Sequence, residues 1–249
     1  MTALVRSELL KLRSVRMTWG LVAAALVFVA LSVVALALAS GQRGAPSLSL
    51  ESTVRSVYAS AGSASVVVLV LGIVGMTGEY RHQTITPTFL ATPRRGRLLT
   101  AKILAHALVG LALAVVCVVL AFLLAAALLT TRTHASISGG TLARVAGGVL
   151  LGYAIYAALG VSLGALVRNQ VAAIVGALVW VLLVEALLVA FLPAVGRWLP
   201  GGALNGVLGA QSLNGGKYLP EWAAALVLLG YGVLFALVAA RTTLRRDVT

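Results

Sequence analysis

The chain has 249 residues, 61% of them hydrophobic and only 10% charged, with a mean hydropathy of +1.05 and a net charge of +13. A soluble domain averages about 25% charged residues, so this composition excludes a water-soluble globular chain. The basic excess, which would point to nucleic acid in a soluble protein, here sits at the ends of apolar runs, where membrane orientation and anionic lipid account for it without a nucleic-acid partner.

Residues 1–16 carry Arg6, Lys11, Arg13 and Arg16. On a helix, Val5, Leu9 and Leu12 share one face and Ser7 and Lys11 the other, which predicts a short amphipathic helix lying in the membrane interface. The first span is expected over residues 17–39. Ala37-Leu38-Ala39 resembles a signal-peptidase site, but the apolar stretch exceeds the ~7–15 residues of a signal core and reads as an uncleaved span. Further spans are expected over residues 57–77, 103–129, 142–167, 171–192 and 222–240, each long enough to cross a ~30 Å hydrocarbon layer. The Ala, Leu and Val content favours helices over the alternating pattern of barrel strands. The expected fold is therefore an all-α polytopic membrane protein of one transmembrane domain, residues 1–249, with six membrane-crossing helices.

The connection 171–192 to 222–240 is long and rich in Gly and Pro. Ala203, Leu204, Val207 and Leu208 recur within it, as in a helix dipping into the outer leaflet, and the 193–221 segment is read as extracellular and re-entrant. Six spans return the chain to the side where it began. If that side is the cytoplasm, thirteen of the nineteen Lys and Arg residues are cytoplasmic. The other six are Arg43, Arg55, Arg132, Arg144, Arg197 and Lys217. This bias fits positive-inside orientation.

Motifs for chemistry are few. Gly160-Val161-Ser162-Leu163-Gly164 matches GxSxG, but inside an apolar span it fits glycine packing far better than a hydrolase turn. Such an enzyme would also need His106, the one histidine within a span, to face Ser162. Gly215-Gly216-Lys217 lacks the spacing of a phosphate loop and has Tyr218 where Ser or Thr would bind magnesium. The single cysteine, Cys117, excludes an internal disulfide and any CxxC site. No metal, cofactor or catalytic residue is expected. Glu185 is the one acidic residue deep in a span. Intramembrane carboxylates usually face a cavity or a partner, so it is a candidate for a substrate or proton pathway, or for an interhelical hydrogen bond.

The densest polar stretch is 78–102, GEYRHQTITPTFLATPRRGRLLTAK. Thr86 can cap a helix and Pro87 suits its first position. Phe89 and Leu90 continue the turn, and Pro93 biases Thr92 out of it. A helix of one or two turns is not stable alone in water. It either rests on lipid headgroups or docks on a partner. The stretch resembles the cytoplasmic loop of type-2 ATP-binding-cassette exporter permeases. Glu79, Arg81, Thr84, Phe89, Leu90, Thr92, Pro93, Arg95 and Lys102 match that pattern in order, and Gln83 stands where many members have glycine.

The resemblance implies a bacterial plasma-membrane export permease with both termini cytoplasmic. Two such six-span subunits, identical or not, would form the pathway, and a separate ATP-binding subunit would dock on each coupling helix, 86–92. ATP hydrolysis would occur on that partner, so this chain would not itself be an enzyme. A proton-coupled secondary transporter using Glu185 is the alternative reading.

Overall fold

A computed structural model of the chain describes residues 1–40, 42, 47–84, 95–130, 132, 137–210 and 217–245. The expected coupling helix, with Thr86, Pro87, Phe89, Leu90, Thr92 and Pro93, lies outside the described residues. Among the described residues the fold is helical and contains no strand. Helix α1 is Thr2–Ser14 and α2 is Arg16–Ala39. Helix α3, Glu51–Ala59, runs through a 3-10 turn, Ser60–Ala64, into α4, Ser65–Arg81. Then follow α5, Arg95–Leu129, and α6, Gly139–Val167. Helix α7, Gln170–Val179, continues through a π-helical segment, Trp180–Glu185, into α8, Ala186–Phe191. The short helices α9, Pro193–Gly196, and α10, Pro200–Leu208, precede α11, Glu221–Arg245.

Six stretches among these are long and apolar enough to cross a membrane: Arg16–Ala39, Glu51–Arg81, Gly96–Leu129, Gly139–Val167, Gln170–Phe191 and Glu221–Thr242. Two are central and four peripheral. Of the most apolar window in each, 67% is buried in Gly139–Val167 and 61% in Glu51–Arg81, but only 11% in Gln170–Phe191. The peripheral helices turn Val27, Leu31, Val171, Val175, Leu226 and Val233 outward. An outer belt of that kind suits hydrocarbon rather than water.

Glycine is what lets α4 and α6 sit at the centre. A Cβ on Gly160 would lie 2.1 Å from the Leu69 carbonyl oxygen, and one on Gly72 would lie 2.4 Å from that of Ala157. The two backbones therefore meet directly, as small residues allow in membrane helices. Ser162, within the GxSxG match, is buried and donates its hydroxyl to the Ala158 carbonyl at 2.8 Å. Its Oγ is thus engaged by its own helix, and the motif is helix packing.

At the end remote from α1, α10 buries Ala203, Leu204, Val207 and Leu208 against the bundle. Gly209 ends this helix in the left-handed region (φ +61°), under the Arg55 guanidinium. Arg55 in turn donates to Glu221 at 2.5 Å, joining α3 to the first turn of α11.

Candidate functional site

The polar stretch emerges from the C-terminus of α4 and returns through the N-terminus of α5. Its first turn is a Schellman cap. The Gln83 N–H donates to the Tyr80 carbonyl (3.3 Å) and the Thr84 N–H to the Glu79 carbonyl (3.0 Å). Such a cap needs a left-handed residue between helix and loop, and Gln83 adopts φ 56°. This is the position where the resembling family often carries glycine, so here a glutamine takes a glycine's conformation. Arg81 is exposed, with Nη1 3.3 Å from Gln170 Oε1 at the start of α7. Arg95 opens α5.

Glu79 points inward rather than to a solvated rim: its residue is 7% exposed. Its Oε1 accepts from Lys102 Nζ and from Lys11 Nζ, both at 2.9 Å. Lys11 Nζ also lies 2.7 Å from Glu8 Oε1, and Lys102 Nζ lies 2.5 Å from Glu8 Oε2. Two carboxylates and two ammonium groups thus alternate in a closed, formally neutral ring that joins α1, α4 and α5. Glu8, Glu79 and Lys102 would be prohibitive as isolated charges at their depth, and mutual pairing is what makes them tolerable; Lys11 closes the ring from a half-exposed position.

Lys102 reaches further, to the Gly75 carbonyl at 3.4 Å, and its own carbonyl meets His106 Nδ1 at 2.8 Å. His106 is fully buried, and Gly75 makes room for it, since a Cβ there would sit 1.8 Å from Nε2.

The electrostatics of α1 follow from this ring. Burial pushes the Glu8 carboxyl up, but the Lys102 charge and hydrogen bonds from Lys102 and Lys11 outweigh it, leaving Glu8 below its ordinary range. Burial pushes Lys11 down, but hydrogen bonds to Glu8 and Glu79 and their charges hold it above its ordinary value. Both groups are therefore charged at neutral pH.

Glu8 was missed in the sequence. The helical-wheel reading of α1 placed Val5, Leu9 and Leu12 on its apolar face. The structure buries Leu12 together with Glu8, while Val5 and Leu9 are half-buried. The signal was Glu8 being the one acidic residue of an otherwise basic helix, with Glu79 and Lys102 at the matching ends of two apolar runs.

Glu185 lies far along the chain from this ring, at the C-terminal end of the π-helical segment, and is 2% exposed. Its Oε1 accepts the Gly201 N–H at the start of α10. It lines a cavity of about 390 Å³ together with Leu69, Tyr156, Trp180 and Phe235. The ring and the cavity are separate, and neither resembles a metal centre: no cluster of three or more His, Cys, Asp or Glu residues able to hold an ion occurs among the described residues.

A family model described as ABC-2 family transporter protein matches residues 4–185. That match takes in the whole ring and ends at Glu185. No curated protein matches the chain.

Proposed function

The chain belongs to the ABC-2 family of transporter proteins, whose members of this kind are membrane permease subunits, and from that premise we propose that it works as the pathway-forming half of an ATP-driven exporter in a bacterial plasma membrane. A separate ATP-binding subunit docks on the 86–92 helix through Phe89 and Leu90, with Thr86, Pro87, Thr92 and Pro93 setting the ends of that helix. The chain pairs with a second permease subunit, and both of its termini face the cytoplasm.

The observation that carries this reading is the ring where α4 leads into the 78–102 stretch and α5 leads out of it. Glu79, near the end of α4, is held by Lys11, and Lys102, near the start of α5, is held by Glu8 and by Glu79. A push on the loop therefore reaches α4, α5 and α1 together. A rigid polar junction suits force transmission, because packed elements shift between discrete arrangements rather than deform gradually. Glu79 acts on the partner through this junction, not by touching it. Arg81 ties the same end of α4 to the start of α7. This links the loop to the helix that carries Glu185.

The test is ATP hydrolysis by a candidate ATP-binding subunit, sought first among the products of neighbouring genes, measured in liposomes with and without this chain. Stimulated hydrolysis and co-purification are expected. An ATPase that neither binds the chain nor responds to it overturns the reading.

A further inference from the structure

The cavity at Glu185 is a groove that opens sideways, toward the hydrocarbon belt. Its volume is about 390 Å³, in the range that holds a small organic molecule. Ala172, Ala173, Gly176, Ala177, Trp180 and Val181 line it in pairs about one turn apart, so it follows the axis of α7. From Ala172 to Glu185 it extends about 20 Å, a little more than one leaflet of a ~30 Å hydrocarbon layer. Ala172, Gly176 and Trp180 are exposed along that length, whereas Leu69, Tyr156, Leu159 and Ala173 are buried and form its floor. The small side chains of the first two turns are what leave the space. Glu185 presents no free oxygen to it, since Oε1 accepts the Gly201 N–H and Oε2 is buried in protein. The groove itself is therefore a place for hydrocarbon.

Its end nearest the loop 78–102 differs. Val167 lines the groove there, and the next residue is Arg168. Arg168 takes the left-handed conformation (φ 59°) that ends α6, and its guanidinium carbon lies 5.5 Å from the centre of the Tyr80 ring. Arg81, next after Tyr80, reaches Gln170, two residues before Ala172 of the lining. Two cations thus stand where the groove meets the membrane boundary. Among the described residues no carboxylate pairs with either, because Glu8 and Glu79 are taken up by the ring.

We propose that the groove binds one acyl chain of an anionic phospholipid from the leaflet on the loop side, with the lipid phosphate beside Arg81 and Arg168. The alternatives fit less well. A zwitterionic lipid carries the same chain but brings an ammonium group to the two arginines. An amphipathic cation is repelled by them and finds no free carboxylate in the lining. A soluble anion has no chain for the groove. The inference goes beyond the permease reading and needs only that the helices cross a membrane, so its failure is distinct from failure of ATP coupling.

The experiment uses the full chain, stripped of lipid in a neutral detergent. Phosphatidylglycerol and phosphatidylcholine with identical chains are titrated in, and bound lipid is read by native mass spectrometry. The anionic lipid should bind at least about fivefold more tightly, the contribution of one cation near anionic headgroups. Arg81→Gln combined with Arg168→Asn should bring the ratio close to one; asparagine tolerates the left-handed region and keeps the α6 cap. A Cβ on Gly176 meets nothing within 4 Å, so Gly176→Leu should fill the groove and weaken both lipids. Arg6→Gln combined with Arg13→Gln removes two exposed cations from α1, which lines no part of the groove, and should leave the ratio unchanged. Glycerol phosphate, which has no chains, should not compete. Equal binding of the two lipids by the wild type, a ratio unchanged in the Arg81 and Arg168 variant, or a ratio lost equally in the Arg6 and Arg13 variant overturns the proposal, as does competition by glycerol phosphate. If the Arg81 and Arg168 variant does not fold, Gly176→Leu decides it: anionic-lipid binding unchanged by that substitution overturns the proposal, and weakened binding supports it.

Discussion

Lys102 Nζ lies 2.5 Å from Glu8 Oε2 across 94 positions of sequence, and both side chains are 2% exposed. The pair fastens the N-terminal helix to the start of α5, and Glu79 makes Lys102 shared with α4. Removing Lys102 leaves Glu8 with Lys11 alone and removing Glu8 leaves Lys102 with Glu79 alone, a buried charge half-compensated, so the loss should be part of the ~3–5 kcal/mol typical of a fully broken buried pair. Lys102→Met should therefore lower thermal stability in detergent. Glu8→Gln should cost much less in a Lys102→Met background than in the wild type, since groups in one network do not act additively. Additive losses would show that the two residues do not act as a pair.

Acidification should loosen α1. The Glu8 pKa is lowered in the folded chain, so its stabilising contribution is complete above the ordinary glutamate value and is lost as pH falls through the lowered one. The Lys11 pKa is raised, so its contribution is complete below the ordinary lysine value and is lost only as pH rises through the raised one. Between about pH 5 and 10 both are present. Amide exchange across Thr2–Ser14, corrected for its intrinsic pH dependence, should be slow at pH 7 and faster at about pH 3. Equal protection at both values would mean that apolar contact alone holds the helix.

Gln83 carries the strain of a left-handed cap with φ 56°. An L-residue there costs roughly 1–2 kcal/mol, partly offset by the greater freedom glycine has when unfolded. Gln83→Gly should leave stability unchanged or raise it by up to about 1 kcal/mol, and Gln83→Val should lower it, because β-branching is worst tolerated at positive φ. Denaturation of the two variants side by side checks this. A more stable valine variant would contradict the cap.

The proposed orientation predicts a labelling pattern. Ser7 and Ser47 are both exposed. In a Cys117→Ser background, a cysteine at Ser47 should react with an impermeant thiol reagent added to intact cells, and one at Ser7 should not. The reverse pattern would place the loop 78–102 on the outer face.

What the sequence revealed and what it hid have physical causes. Apolar runs of eighteen or more residues announce crossing helices by length alone, so the six-helix, all-α architecture was legible. The glycines of α4 and α6 were legible as packing residues because only a missing Cβ permits contacts such as Gly160 against Leu69. The ring was not, because pairing between Glu8, Glu79 and Lys102 is set by tertiary contact and leaves no periodic trace. Lys102 looked like one more basic residue at a membrane boundary, yet it is among the most buried side chains. The π-helical segment was equally hidden, since Trp180–Glu185 sits in an apolar run that any helix type could accommodate. Glu185 itself stood out as the lone acid of its span, but its bond to Gly201 required the fold of α10.

The central claim is that the 86–92 helix docks a separate ATP-binding subunit, and Phe89→Ala tests it most directly. An aromatic anchor buried in an interface often carries 2 kcal/mol or more, roughly a thirtyfold change in affinity. Pull-down of the ATP-binding subunit at equal membrane levels of wild type and Phe89→Ala should recover it with the wild type and lose most of it with the variant. Equal recovery with both would contradict the docking account.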